Sequence, residues 1–318
     1  MNLPALKDLD FKGKDVLLRA DLDIDMDLGK EDLRIKALLP TIEYLAKDAA
    51  NIVIIAHKGR PGGKEDKKYS LEPVANFLNE VVKAKNVELM ENLRFNKGEE
   101  ENDKHFAEHI AQKGEVFVNE AFASSHREHA SIVTIPKLMP SAAGLHFEKE
   151  VENLTKVLDN PKKPVVMVLG GVKEDKVKYV EEFKSFADMI LVGGRLPDYM
   201  DEDYKHEKVV VAKLIQDKED ITLHSVERFE EELKKAGTIV LAGPMSKYEE
   251  EGHLLGTKRV FEAVVQSKAF KVAGGGDTYA ALDALSLQDK LDWISVGGGS
   301  ALDFLSNGTL PGIDALLN

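Results

Sequence analysis

Short runs of β-branched and other apolar residues alternate along the chain with segments whose apolar positions recur every three or four residues. The runs Val16–Leu18, Ile52–Ala56, Val116–Val118, Val165–Leu169, Met189–Val192, Val209–Ala212, Ile239–Leu241, Lys271–Ala273 and Trp293–Val296 predict strands. Between them, residues 32–48 place Ile35, Leu38, Leu39, Ile42, Leu45 and Ala46 on one helical face. Residues 72–84 repeat the pattern with Val74, Phe77, Leu78, Val81 and Val82, and residues 257–267 with Val260, Phe261, Val264 and Val265. Continuous apolar strands separated by helices predict an α/β fold of doubly wound parallel sheets with helices on both faces.

Residues 148–158 carry apolar side chains at 151, 154, 157 and 158, and Asn160-Pro161-Lys162-Lys163-Pro164 interrupts the pattern before the next buried run. This predicts a hinge helix at 148–158, joining a domain of residues 1–147 to a second of residues 148–310. A length of 318 residues suffices for two such cores.

Charge narrows the functional classes. Residues 1–150 hold 22 basic against 27 acidic side chains and the rest 21 against 29, so neither half supplies the basic field of a nucleic-acid binder. An anionic ligand must therefore be held by a few placed residues. Cysteine is absent, which excludes disulfide scaffolds, thiolate metal sites and cysteine nucleophiles. The apolar runs are strand-sized and Met1–Phe11 lacks the apolar core of a secretion signal. The expectation is a cytoplasmic protein with no membrane partner.

Ligands of open parallel sheets sit at the carboxyl ends of the strands. In the first half these ends are rich in cations and imidazoles: His57-Lys58-Gly59-Arg60, Glu91-Asn92-Leu93-Arg94, and Asn119 through His126-Arg127. Of eight arginines five precede residue 150, and four of those (Arg34, Arg60, Arg94, Arg127) lie in loops or helix starts beside strand ends. Each alone reads as a surface residue in a weak salt bridge; four at equivalent places predict a small polyanion pocket.

In the second half the strand ends are glycines: Gly170-Gly171, Gly193-Gly194, Gly274-Gly275-Gly276 and Gly297-Gly298-Gly299. Such turns let backbone approach a ligand and present helix-start N–H groups to phosphate, which predicts a nucleotide site. Neither the G-x-x-x-x-G-K-[ST] loop nor the G-x-G-x-x-G fingerprint is present. Asp277 suits the Mg²⁺ of a bound nucleotide and equally the cap of a helix starting near Thr278, two roles that are compatible. Lys173 and Lys176 either neutralise transferring phosphates or lie in a solvated loop. An anion pocket and a nucleotide pocket joined by a hinge describe a kinase that excludes water by closing.

Ordered along the chain, Leu17-Leu18-Arg19-Ala20-Asp21, Arg34 to Ile42, His57-Lys58-Gly59-Arg60-Pro61, Tyr69 to Ala75, Glu91 to Phe95 with Gly98-Glu99-Glu100, and Asn119-Glu120-Ala121-Phe122 with His126 to Ser131 form one series. Leu169-Gly170-Gly171, Asp175-Lys176, Gly243-Pro244-Met245, Gly256-Thr257-Lys258, Gly274 to Thr278, Gly297-Gly298-Gly299 and Leu310-Pro311-Gly312 continue it. This series resembles the phosphoglycerate kinase family nearly end to end.

The resemblance implies reversible phosphoryl transfer between 1,3-bisphosphoglycerate and Mg-ADP, giving 3-phosphoglycerate and ATP. It implies that Asp21, Arg34, His57, Arg60, Arg94 and Arg127 hold the phosphoglycerate, with Asp23 and His126 beside them. Arg34 and Lys176 would stabilise the phosphoryl group in flight. Lys173 would meet nucleotide phosphates, Glu249 the ribose and Asp277 the magnesium, within a site that also includes Gly193, Gly194, Gly243, Pro244 and Thr278. A monomer whose residues 311–318 pack back on the first domain is also implied.

Several positions depart from the family pattern. Asp23 stands where the family has an asparagine, Ala242 where it has another, and Arg195 follows Gly193-Gly194 where the family's third glycine segment usually continues with methionine and alanine. The loop Gly171 to Lys176 is one residue short, and segments are missing between Val82 and Met90 and between Gly194 and Ile239. These changes motivate two alternatives: a non-catalytic phosphoglycerate-binding homologue, or a kinase with a different nucleotide or acyl-phosphate partner.

Overall fold

The computed structural model describes residues 1–24 and 26–318, so Asp25, the last residue of the Asp21–Asp25 stretch, lies outside the described residues. The chain divides into two compact units, Met1–Glu152 with Thr309–Asn318, and Asn153–Gly308.

The first unit holds five parallel strands: β1 (Asp15–Arg19), β2 (Asn51–Ile55), β3 (Val87–Leu89), β4 (Val116–Asn119) and β5 (Ser141–Ala143), in the spatial order β3-β2-β1-β4-β5. The second holds β6 (Val165–Leu169), β7 (Met189–Val192), β8 (Val209–Val211), β9 (Thr238–Ala242), β10 (Phe270–Gly274) and β11 (Trp293–Ser295), ordered β11-β10-β9-β6-β7-β8. Every strand pair is parallel. Both sheets are doubly wound, reversing direction at β1/β4 and at β6/β9.

Burial explains the register. In β1, Val16 and Leu18 pack into one core with Ile35, Ile42 and Ile54, while Leu17 enters another with Ile55, Ile110 and Phe117. A strand buried on both faces shows no alternation, which is why these runs are continuously apolar. The second unit repeats this around Val166, Val168, Leu191, Leu241 and Phe261.

Two edge strands, β3 and β5, are absent from the nine predicted runs. Each is three residues long, and Val-Glu-Leu and Ser-Ala-Ala carry too little apolar surface to stand out. The predicted 148–158 helix begins three residues earlier, at Leu145. Its start is fixed from a distance: Glu120 accepts the amide hydrogens of His146 at 3.0 Å and Phe147 at 2.9 Å, and the Thr41 hydroxyl at 2.5 Å. A carboxylate among the orphan donors of a helix N-terminus satisfies them and opposes the helix dipole. The unit boundary falls inside this helix, between Glu152 and Asn153.

Candidate active site

The first unit's sheet reverses at β1/β4, where Asp21 follows β1 and His126 and Arg127 follow β4; His57 and Arg60 follow β2 and Arg94 follows β3. Past β1, Asp21 accepts the Ala123 amide at 2.6 Å through Oδ2 and the Ser124 hydroxyl through Oδ1. Each oxygen thus takes one protein donor and keeps a further lone pair. Asp21, expected to touch the acid, also anchors the loop that carries His126 and Arg127. Asp23 accepts the Gly59 amide at 3.1 Å, and its carbonyl accepts a hydrogen bond from Arg34. The carboxylate that replaces the family's amide therefore bonds the loop after β2 and leaves the Arg34 guanidinium steered by main chain.

Arg94 is 2% exposed; its Nη1 donates to Gly59 O at 2.7 Å and its Nε lies 3.4 Å from Glu100 Oε1. Its Nη2 is buried with no hydrogen-bond partner. A guanidinium nitrogen in that state is costly unless an anion meets it. Arg127 acts on it electrostatically; Arg34, His126 and Arg127 are half-buried and Arg60 is exposed.

The local field is strongly positive. Burial and then the charge of Arg127 push Arg94 down to about 10. Burial, followed by Arg19, Arg94, Arg127 and His129, holds His57 well below the usual imidazole value. His129 falls to about 3 for the same reasons, burial first and then Arg94, Arg127 and Arg19. The pocket therefore presents guanidinium cations and neutral imidazole rings, a set that a compact polyanion would neutralise.

Sequence reasoning missed part of this cluster. Arg19, the fifth arginine of the first half, is fully buried at the end of β1, where it donates to Ser131 Oγ at 2.7 Å and to His57 Nδ1 at 3.0 Å. Ser131 in turn donates to the fully buried Glu99 at 2.6 Å. A lone arginine ending an apolar strand was the available signal.

The second unit's reversal, β6/β9, is built from main chain. Gly170 N donates to Ala242 O at 3.0 Å and Gly171 N to Pro244 O at 2.7 Å. A Cβ on Gly243 would stand 2.2 Å from Gly170 O, and one on Gly194 2.5 Å from Gly171 N. A Cβ on Gly298 would stand 2.7 Å from Gly275 Cα. These glycines let strand-end turns close on one another, whereas Gly276 and Gly299 face open space in the first turns of helices Gly276–Ala284 and Gly298–Asn307.

Asp277 is not a helix cap. The helix starts at Gly276 with Gly275 at the cap position, φ 99°, so Asp277 lies exposed in the first turn. The Thr278 hydroxyl accepts Gly243 N at 2.9 Å and donates to Gly274 O at 2.8 Å, tying the turns after β9 and β10 together. Lys176 Nζ donates to Gly170 O at 3.0 Å and Ala242 O at 3.4 Å. Burial pulls its pKa down and the nearby Asp277 charge opposes that. Lys173 and Glu249 are exposed, and Gly193 sits against Met245.

No group of three or more His, Asp or Glu residues that could hold a metal occurs among the described residues. A lone carboxylate such as Asp277 still fits Mg²⁺, which binds through one or two carboxylates and takes its other ligands from phosphates and water. No helix among the described residues is long and apolar enough to cross a membrane.

The family model described as phosphoglycerate kinase matches residues 6–89, 81–201 and 196–308. A phosphoglycerate kinase of Borreliella afzelii is 34% identical over 391 aligned positions, covering 99% of this chain and 100% of the relative. One from Finegoldia magna is 33% identical with 99% of each covered. Since this chain has 318 residues, both relatives carry segments that it lacks. The phosphoglycerate kinase structures from Coxiella burnetii and Pyrococcus horikoshii superpose with TM-scores of 0.83 and 0.84 at 30% and 29% identity, each over 99% of this chain.

Proposed function

This chain belongs to the phosphoglycerate kinase family, and from that premise we propose how its residues divide the work. The reaction is reversible phosphoryl transfer between 1,3-bisphosphoglycerate and ADP, giving 3-phosphoglycerate and ATP. The enzyme is a phosphotransferase with a carboxyl acceptor. Residues 1–147 with the tail 311–318 bind the acid and residues 148–310 the nucleotide. The enzyme acts in the cytoplasm as a monomer.

In this reading Arg34, His57, Arg60, Arg94, His126 and Arg127 hold the phosphoglycerate, and Asp21 and Asp23 place the loops that carry them. The Nη2 of Arg94, buried and without a hydrogen-bond partner among the described residues, carries the reading, because such a guanidinium nitrogen suits a carboxylate or phosphate. In the other unit Gly170, Gly171, Gly193, Gly194, Gly243 and Pro244 shape the nucleotide bed. Gly274, Gly275, Gly276 and Thr278, together with Gly297, Gly298 and Gly299, present helix starts to phosphates. Lys173 meets the phosphates and Glu249 the ribose. Mg²⁺, held by Asp277 and the nucleotide, neutralises phosphate charge when bound.

No general base is needed, since the acceptor oxygen is already anionic. Catalysis rests on alignment and on charge stabilisation of the phosphoryl group by Arg34 and Lys176. In the free protein Lys176 is held by the carbonyls of Gly170 and Ala242, so reaching a phosphate requires exchanging those acceptors for phosphate oxygens. A non-catalytic homologue is not favoured. A coupled assay of ATP-dependent 3-phosphoglycerate phosphorylation tests the assignment: Lys176→Ala should lower kcat by roughly a hundredfold to a thousandfold. Unchanged turnover in that variant would remove Lys176 from the mechanism.

A further inference from the structure

Arg19 heads a chain of hydrogen bonds whose direction the chemistry leaves no freedom to reverse. Glu99, fully buried, accepts from the Ser131 amide at 3.0 Å and from the Ser131 hydroxyl at 2.6 Å. Having given its proton to Glu99, the Ser131 oxygen accepts from Arg19 Nε at 2.7 Å. Arg19 Nη1 donates to the carbonyl of Ala20. Its Nη2 lies 3.0 Å from His57 Nδ1 and 4.0 Å from Glu99. A guanidinium has donors only, so Nδ1 of His57 must accept. A neutral imidazole that accepts at Nδ1 carries its one proton on Nε2. Among the described residues Nε2 of His57 has no hydrogen-bond partner.

We propose that Arg19 is a positioning residue, fixed by Glu99 and Ser131, that locks His57 in the Nε2–H tautomer so that the ring donates to an oxygen of the bound acid. The inference rests on the placement of His57 in the acid site. It assigns Arg19 no contact with substrate: its side chain is fully buried and its donors are used inside the protein. Burial first, and then Arg19, Arg94, Arg127 and His129, three of them guanidiniums, keep the His57 ring from taking a second proton. A ring so held needs no proton uptake to become a donor, and the donor is present over the whole neutral range.

Two-bond ¹H–¹⁵N spectra of ring-labelled histidine, with His57 identified by its loss in His57→Gln, test the inference on the intact enzyme. Expected is a protonated Nε2, an unprotonated Nδ1 and no titration between pH 6 and 8, with a shift of the His57 signals on adding 3-phosphoglycerate. A proton on Nδ1, or titration in that range, overturns the positioning role while leaving the acid site intact. Signals that do not move with 3-phosphoglycerate overturn the placement of His57 itself, and the donor role with it.

Arg19→Met removes the lock. It should let both tautomers appear and raise KM for 3-phosphoglycerate about tenfold, the worth of one charge-assisted hydrogen bond, with a smaller change in kcat. An unchanged tautomer in a folded Arg19→Met overturns the inference. Because that variant strips a partner from Ser131, a second pair keeps the test open. A glutamine amide can place a donor where Nε2–H stands, and an asparagine amide only where Nδ1 stands. His57→Gln should therefore keep KM several-fold closer to that of the unsubstituted enzyme than His57→Asn, and the opposite order contradicts the Nε2–H donor.

Discussion

The two units have the same winding, a parallel sheet that reverses once, yet they furnish the reversal with opposite materials. At β1/β4 the crevice is lined by long side chains, and a second layer of buried polar groups (Arg19, Glu99, Ser131, Asp21) orients them. At β6/β9 it is lined by main chain packed so closely that Gly170, Gly194 and Gly243 leave no room for a Cβ. In the function proposed above, the difference follows from the ligands. A small acid is recognised through the geometry of its charged oxygens, which forks and rings match one by one. A nucleotide's phosphates are met by helix-start N–H groups, which every residue but proline possesses, so the sequence need supply little more than space. Removing a side chain should weaken the first site and leave the fold standing, whereas adding one to the second should break the fold.

The largest expected effect is therefore Gly243→Ala. Its φ of 110° and the 2.2 Å approach of the new Cβ to Gly170 O combine strain with a backbone clash. Chemical denaturation should show a loss of about 3 kcal/mol or more. A loss under 1 kcal/mol would mean that the turns are not packed as described.

Acid should come next. His57 and His129 are buried in depressed-pKa positions, so below the unfolded value of 6.5 the unfolded chain takes up protons that the native state refuses. Their stabilisation is complete above that value and is lost as pH falls toward about 3 for His129. Denaturation curves at several pH values between 6.5 and 4 should show stability falling by up to about 1.4 kcal/mol per pH unit for each ring. His129→Gln should remove one ring's share, and an unaltered slope would contradict the assignment.

A smaller effect belongs to Asp277→Asn. Weakening one magnesium ligand should raise the KM for Mg-ATP roughly tenfold, about 1.4 kcal/mol, with little change for 3-phosphoglycerate. Glu120→Gln is read on stability alone and should cost about 1–3 kcal/mol, because one amide oxygen remains to accept while the new NH2 faces a buried donor, and the charge at the helix start is gone. Steady-state kinetics and urea melts read the two.

This contrast also governs what could be read from the chain. Doubly buried strands announce themselves as apolar runs, so most of both sheets was legible. Val87–Leu89 and Ser141–Ala143 were not, being too short and too polar or small to carry a pattern. Arg34, Arg60, Arg94 and Arg127 were legible because arginines after strands are conspicuous. Arg19 was hidden inside one, and Glu99 and Ser131 gain their meaning only from the fold that brings them to it. The glycines were visible, but not that Gly170, Gly194, Gly243 and Gly298 are pressed against other turns. Asp277 read equally well as cap and as ligand; Gly276 beginning the helix removes the cap reading alone.

The division of labour between the units is tested most directly by calorimetric titration of the intact enzyme and of Arg94→Met/Arg127→Met with 3-phosphoglycerate and, separately, with Mg-ADP. The account predicts that the double variant binds 3-phosphoglycerate at least tenfold more weakly, for want of two guanidinium forks, and binds Mg-ADP unchanged. Acid affinity that survives, or nucleotide affinity that falls with it, would contradict the account.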